Sequence, residues 1–153
     1  MVVAIASAAV DVDALRKLFL TQTNNYRVLH QVGKVVVNST IQAGAQEWAD
    51  YLAFTYKGLK HSSSGFGENL AYASSSIANT AVKMWYDEVK YYNFSAPGFS
   101  SATGHFTQLV WKNSKQVGFG ITESKGIVYV VCRYSPPGNY LGQFDKNVFP
   151  ASS

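Results

Sequence analysis

Two histidines and two glutamates, His61, Glu68, Glu88 and His105, are the residues of this 153-residue chain whose types could do chemistry together. Imidazole nitrogen and carboxylate oxygen form a common donor set for a divalent cation. The same groups held close together make an acid/base cluster. Spacing alone does not unite them. His61 and Glu68 stand seven positions apart in "KHSSSGFGENLAYASSS", a Ser/Gly-rich stretch that reads as loop, and each by itself reads as an ordinary loop residue. Glu88 is the odd residue of a helical stretch. At about 100° per residue, Val82, Trp85, Tyr86, Val89 and Tyr92 form an apolar arc and Lys83, Asp87 and Lys90 lie opposite, yet Glu88 falls at the flank of the arc beside Met84 and Trp85. A carboxylate there needs donors or an edge that reaches water. His105 opens "GHFTQLVWKNS", which reads as a strand. It has the parity of Thr107, Leu109 and Trp111, so it is either a satisfied edge residue or a functional one.

Other chemistries find little support. No G-x-S-x-G elbow and no phosphate-binding glycine loop occurs. The single cysteine, Cys132, rules out an intrachain disulfide and reads as a small buried apolar residue, with Arg133 directed to the opposite strand face. The net charge of +4 and pI near 9.1 favour anionic lipid surfaces or glycans. No Lys/Arg run or nucleic-acid motif accompanies that charge, so nucleic acid is excluded as the partner.

The elements that must position the four residues follow from periodicity. Leu15, Leu18, Phe19, Tyr26 and Leu29 predict a first helix, capped by Asp13 and ended by Gly33. Ile41, Ala45, Trp48, Ala49, Leu52 and Ala53 predict a second helix after Asn38-Ser39-Thr40, closed at Gly58. A third helix is predicted over 77–92, then a long loop, "NFSAPGFSSATG". Strands follow over 104–111, 116–122 and 127–134, the last two joined by the hairpin turn "ESKG". Helices first and strands after predict an α+β domain. The apolar start, with Ala6-Ser7-Ala8, has the character of the end of a signal peptide. The triplets Asn38-Ser39-Thr40 and Asn93-Phe94-Ser95 are glycosylation sequons compatible with secretion.

Four motifs then carry a family likeness. "GHFTQLVWKNS", "YVVCRYSPPGNY" and "GENL" resemble signature segments of the CAP superfamily, which comprises the cysteine-rich secretory, antigen 5 and pathogenesis-related class 1 proteins. "TNNYR" resembles its first-helix motif, with Thr23 where that motif has histidine. The resemblance covers nearly the whole chain and is strongest to the Golgi-associated pathogenesis-related branch. Phe119 stands where many members have a cysteine, and Val2 replaces the glycine that myristoylation needs. The resemblance implies a three-layer α-β-α sandwich with a central antiparallel sheet. It implies one CAP domain over 13–153, with 1–12 an N-terminal segment that reads as a signal-peptide remnant. It also implies one cleft lined by His61, Glu68, Glu88 and His105, with His61 and His105 as ligands of Zn²⁺.

The function implied is non-enzymatic binding of sterol, fatty acid or another lipid. Phe94, Pro97 and Phe99 are then the lipid-binding residues, the alternative being that they only pin the loop. A second implied function is a defence- or secretion-related interaction module. A third, weaker one is a serine-type hydrolase with Ser74 as nucleophile, although nothing local supplies its base or oxyanion site. An extracellular location is expected, the alternative being the cytosolic face of the Golgi and endomembranes, and the branch implies a homodimer.

Overall fold

The computed structural model describes residues 10–153. Val2, and the N-terminal segment through residue 9, lie outside the described residues. Asp11 caps helix α1 (Val12–Leu29), its Oδ1 accepting from the Ala14 N–H at 3.0 Å. The cap is therefore Asp11 and not Asp13. The helix ends before Gly33, because Gln31 takes the left-handed conformation at φ 67°. Strand β1 (Val36–Val37) is followed by helix α2 (Ser39–Tyr51), whose first N–H groups are capped by Asn38. A π-helical turn, Leu52–Tyr56, continues α2, and Lys57 at φ 60° ends it one residue before Gly58.

Three predicted elements change character. The stretch read as loop contains strand β2 (Gly67–Ser74). The single helix predicted over 77–92 is a 3₁₀ turn at Ser75–Thr80, helix α3 (Ala81–Asp87) and a second 3₁₀ turn at Glu88–Tyr91. The strand predicted over 104–111 is helix α4 (Gly104–Leu109). Phe106, Leu109 and Val110, all fully buried, recur at i, i+3 and i+4, a helical signal that the β-prone residue types obscured. The hairpin is as read, but each strand is longer: β3 (Gln116–Ser124) and β4 (Ile127–Ser135) turn through Lys125 and Gly126, both at positive φ. A short helix, α5 (Phe144–Asn147), closes the chain.

The sheet order is β1-β3-β4-β2. Both β2 and β3 run antiparallel to β4, while two-residue β1 is parallel to β3, so the sheet is mixed. Alternation along β4 builds two cores. Val128, Val130, Cys132 and Tyr134 join Phe119, Ile121, Trp85 and Phe106 on the face covered by α1, α3 and α4. Tyr129 and Val131 join Leu70, Ala45, Ala49 and Leu52 under α2. The result is an α-β-α sandwich. Its α2 layer lies close because β3 turns Gly118 and Gly120 toward that helix. A Cβ at Gly120 would run into the Ala45 carbonyl, and one at Gly118 into the Gln42 backbone.

Candidate functional site

β2 is an edge strand, and the four predicted residues sit on either side of it. Its first turn-proximal carboxylate, Glu68, faces the α2 layer opposite Arg133 of β4. The loop after α2 returns along this strand, so His61 Nδ1 meets Glu68 Oε1 at 2.9 Å. The same oxygen accepts from the Ser62 N–H at 2.9 Å. The other oxygen accepts from the Ser62 hydroxyl and from Arg133 Nε at 3.2 Å. The side chain of Glu68 is only 6% exposed. Burial pushes its carboxyl up, but the bonds from His61, Ser62 and Arg133 outweigh burial and hold it below the ordinary carboxylate value. The bond to Glu68 in turn raises the pKa of His61, against the opposing effect of burial.

The second pair comes from the other helical layer. α3 and its 3₁₀ extension deliver Glu88, and α4 begins with Gly104 and His105. Glu88 Oε2 meets His105 Nδ1 at 2.8 Å, and its Oε1 accepts from the Phe106 N–H at 3.0 Å. Glu88 therefore satisfies one orphan donor of α4's first turn, the Phe106 N–H, which explains its place on the flank of the apolar arc. His105 also stacks on Trp85, with ring centroids 6.3 Å apart and planes 14° apart.

His61, Glu68 and His105 line one recess of about 270 Å³ together with Asn69, Phe99, Ser101, Gly104 and Asn139. Glu88 lines the adjoining trough of about 250 Å³, which shares His105 and is walled by Leu59, Leu70, Met84 and Trp85. The tetrad thus forms two carboxylate–imidazole pairs meeting across β2. Each Nδ1 is committed to a carboxylate, and neither Nε2 has a hydrogen-bond partner among the described residues. Two imidazoles with open Nε2 atoms and carboxylates behind them form the usual arrangement of metal-ligating histidines. No group of three or more His, Cys, Asp and Glu side chains placed to hold a metal occurs among the described residues. Any ion here would therefore complete its coordination with water or an added ligand.

The other predicted residues part company. Phe94 is half-buried and packs on Tyr92 and Phe106, so it pins its loop. Pro97 borders a separate recess with Gly142, Phe144 and Asp145. Phe99 is 54% exposed at the rim of the histidine recess. Ser74 sits at the far end of β2 from Glu68, about 20 Å away at 3.3 Å per residue, paired with Ile127 and without a histidine partner among the described residues. Cys132 is fully buried, and burial pushes its thiol far above the ordinary range.

Three supporting residues escaped the sequence reading. Arg133, on the α2 face as parity required, anchors Glu68. Asn69 donates to the His105 carbonyl and shares its amide with the Tyr134 hydroxyl. Asn139 donates to the Gly104 carbonyl and accepts from Thr107, holding α4 from the C-terminal side. Their partners lie 65, 36 and 35 positions away in sequence, so no local pattern could reveal them.

Comparison with known proteins agrees with the fold and the motifs. Human (Homo sapiens) Golgi-associated plant pathogenesis-related protein 1 is 43% identical over 135 residues, covering 83% of this chain and 87% of that protein. The basic form of pathogenesis-related protein 1 from Nicotiana tabacum is 35% identical over 128 residues, covering 82% of this chain and 72% of that protein. Among solved structures, that of NaASP2 with Zn²⁺ superposes at TM-score 0.71 and 22% identity, covering 95% of this chain and 92% of that one. The model of the family described as CAP: Cysteine-rich secretory protein family matches residues 20–134. That span runs from the middle of α1 to the end of β4 and contains His61, Glu68, Glu88 and His105. The chain therefore belongs to the CAP, cysteine-rich secretory protein, family.

Proposed function

We propose that the chain is a non-enzymatic binding protein that takes a divalent cation, Zn²⁺ the best fit, between His61 and His105. The carrying observation is the matched pair of imidazoles, each with Nδ1 on a carboxylate and Nε2 open, lining one recess. Nitrogen donors on a half-exposed site suit Zn²⁺ better than the oxygen-seeking Ca²⁺ or Mg²⁺. The solved relative in fold carrying Zn²⁺ supports the same reading. Glu68 and Glu88 would orient the rings and neutralise part of the added charge.

Zn²⁺ titration by calorimetry is expected to show binding that falls about tenfold or more in His61→Ala or His105→Ala. Affinity equal to wild type in the double variant would overturn the site. Binding requires neutral imidazole. Because Glu68 raises the pKa of His61, proton competition begins at higher pH than for a free histidine, and Zn²⁺ affinity is expected to drop steadily as pH falls through that raised value.

A second reading, binding of a sterol or fatty acid, rests on Phe99. This aromatic stands exposed at the recess rim, and the neighbouring C-terminal loop exposes Tyr140 and Leu141. Phe94 and Phe99 separate the roles. Phe99→Ser is expected to weaken sterol binding without changing the melting temperature. Phe94→Ser is expected to lower the melting temperature, because it removes packing from Tyr92 and Phe106. Sterol binding untouched by Phe99→Ser would remove the loop as the lipid site.

A further inference from the structure

The two recesses that share His105 differ in character. The one that also holds His61 is polar at its centre, whereas the trough of about 250 Å³ beside it is apolar. Leu70, Ala71 and Trp85 are its buried walls, and Tyr72 and Met84 are its exposed ones, at 57% and 42%. Aromatic and apolar surface therefore meets water next to an imidazole whose Nε2 is open. Small-molecule sites have this composition, mostly apolar walls with a few polar groups that fix orientation. The trough is smaller than the about 300–1,000 Å³ of drug-sized ligand sites, so it suits a small tail and neither a sterol nor a long acyl chain.

The polar half lacks both ligands and negative charge once a divalent cation is bound. Every carboxylate oxygen is already engaged: those of Glu68 by His61, Ser62 and Arg133, those of Glu88 by His105 and the Phe106 N–H. The carboxylates therefore stay behind the rings, and a four-coordinate Zn²⁺ on two imidazoles keeps two positions open. Glu68 and Glu88 bring two negative charges and Arg133 one positive, so a divalent cation leaves the site one charge positive. A monoanion in an open position cancels that charge. One donor is free to meet it. Ser101 is exposed on the recess, and its hydroxyl has no hydrogen-bond partner among the described residues. The amides of Asn69 and Asn139 are turned instead to the His105 and Gly104 carbonyls.

We propose, resting on the cation site proposed above, that the bound ion takes a small monocarboxylate with an aromatic tail as its added ligand. The carboxylate fills the open coordination and accepts from Ser101, and the ring lies in the trough against Trp85, Tyr72 and Met84. Two aromatic side chains and a thioether favour an aromatic tail over a straight alkyl one. The stack of His105 on Trp85 joins the two recesses, so aromatic surface continues from the imidazole into the trough. Head and tail of such a ligand thus each meet the half of the site whose chemistry they match.

NMR titration with 3-phenylpropionate as probe, on the full chain with Zn²⁺ and on the same chain stripped with EDTA, tests the ligand class. With Zn²⁺ the probe is expected to bind about tenfold or more tightly than without it, and about tenfold more tightly than acetate, which has the head and no tail. Tyr72→Ser/Met84→Gln changes two exposed trough positions. It should weaken the probe about tenfold and leave acetate and Zn²⁺ affinity within about twofold of the native chain. Ser101→Ala should weaken probe and acetate alike, by about threefold. If Zn²⁺ binds but the probe binds equally with and without it, or no more tightly than acetate, the ligand inference fails and the cation site stands. Octanoate binding more tightly than the probe would overturn the aromatic tail. Absence of Zn²⁺ binding, measured first on the same sample, would remove the cation site and the inference together.

Discussion

Arg27→Met is expected to lower the unfolding free energy by about 4 kcal/mol, the largest single-residue effect foreseen for this chain. Arg27 is fully buried at the last turn of α1. Its guanidinium donates to the Gly33, Leu109, Trp111 and Ser114 carbonyls at 2.7, 3.1, 2.9 and 2.9 Å. Leu109 ends α4, and Trp111 and Ser114 belong to the turn that links α4 to β3. Burial lowers its pKa to about 10, so the group remains charged at neutral pH. Methionine keeps most of the side-chain length but removes four hydrogen bonds, each worth about 1 kcal/mol; the Gly33, Leu109 and Ser114 carbonyls lose their donor, and the Trp111 carbonyl keeps only the Ser114 N–H at 3.2 Å. Urea unfolding monitored by tryptophan fluorescence measures the loss, and a change below about 1 kcal/mol would show that water replaces the guanidinium. Arg27→Lys should fall between the two. An ammonium can follow only some of the four carbonyls, because it lacks the planar fork.

Glu68→Ala is the second large effect, expected at about 3 kcal/mol. Arg133 is 8% exposed, and Glu68 is its only carboxylate partner among the described residues. Truncation strands that charge with Ser62 as its remaining side-chain acceptor. Glu68→Gln keeps the volume and one acceptor oxygen, so it should lose less. The pH dependence follows from the direction of each shift. Glu68 has a depressed pKa, so its stabilising contribution is complete above the ordinary carboxylate value and disappears as pH falls through the depressed one. His61 has a raised pKa. Its contribution is complete below the ordinary imidazole value near 6.5 and disappears as pH rises through the raised one. In Glu68→Ala the acid-side component should vanish, and the His61 titration followed by NMR should move down. A titration midpoint for His61 unchanged by the variant would mean that the Glu68 bond does not hold the ring.

Local pattern carried the parts of this fold that rest on near neighbours. The stripes of α1 and α2 and the β3–β4 hairpin were legible because each shows in residues within a few positions of one another, whereas the Asn38 cap of α2 was not read. The four chemistry-bearing residues were also legible, as was the misfit of Glu88 on its helix. Motif likeness named the family, because long ordered motifs survive where single residues are ambiguous.

Only the tertiary structure decided what lay between those parts. β2 reads as loop because Ser and Gly flank it, and it becomes a strand by pairing along its length with β4, some 60 positions on. Phe106 to Val110 look β-prone, yet they turn into a helix because Glu88 caps the first turn and Asn139 holds it from behind. His105 therefore projects from a helix start and not from a strand face. The sequence determined which side chains could meet. Their pairing across an edge strand was settled by hydrogen bonds spanning tens of residues, whose energies depend on distances that exist only once the chain has closed on itself.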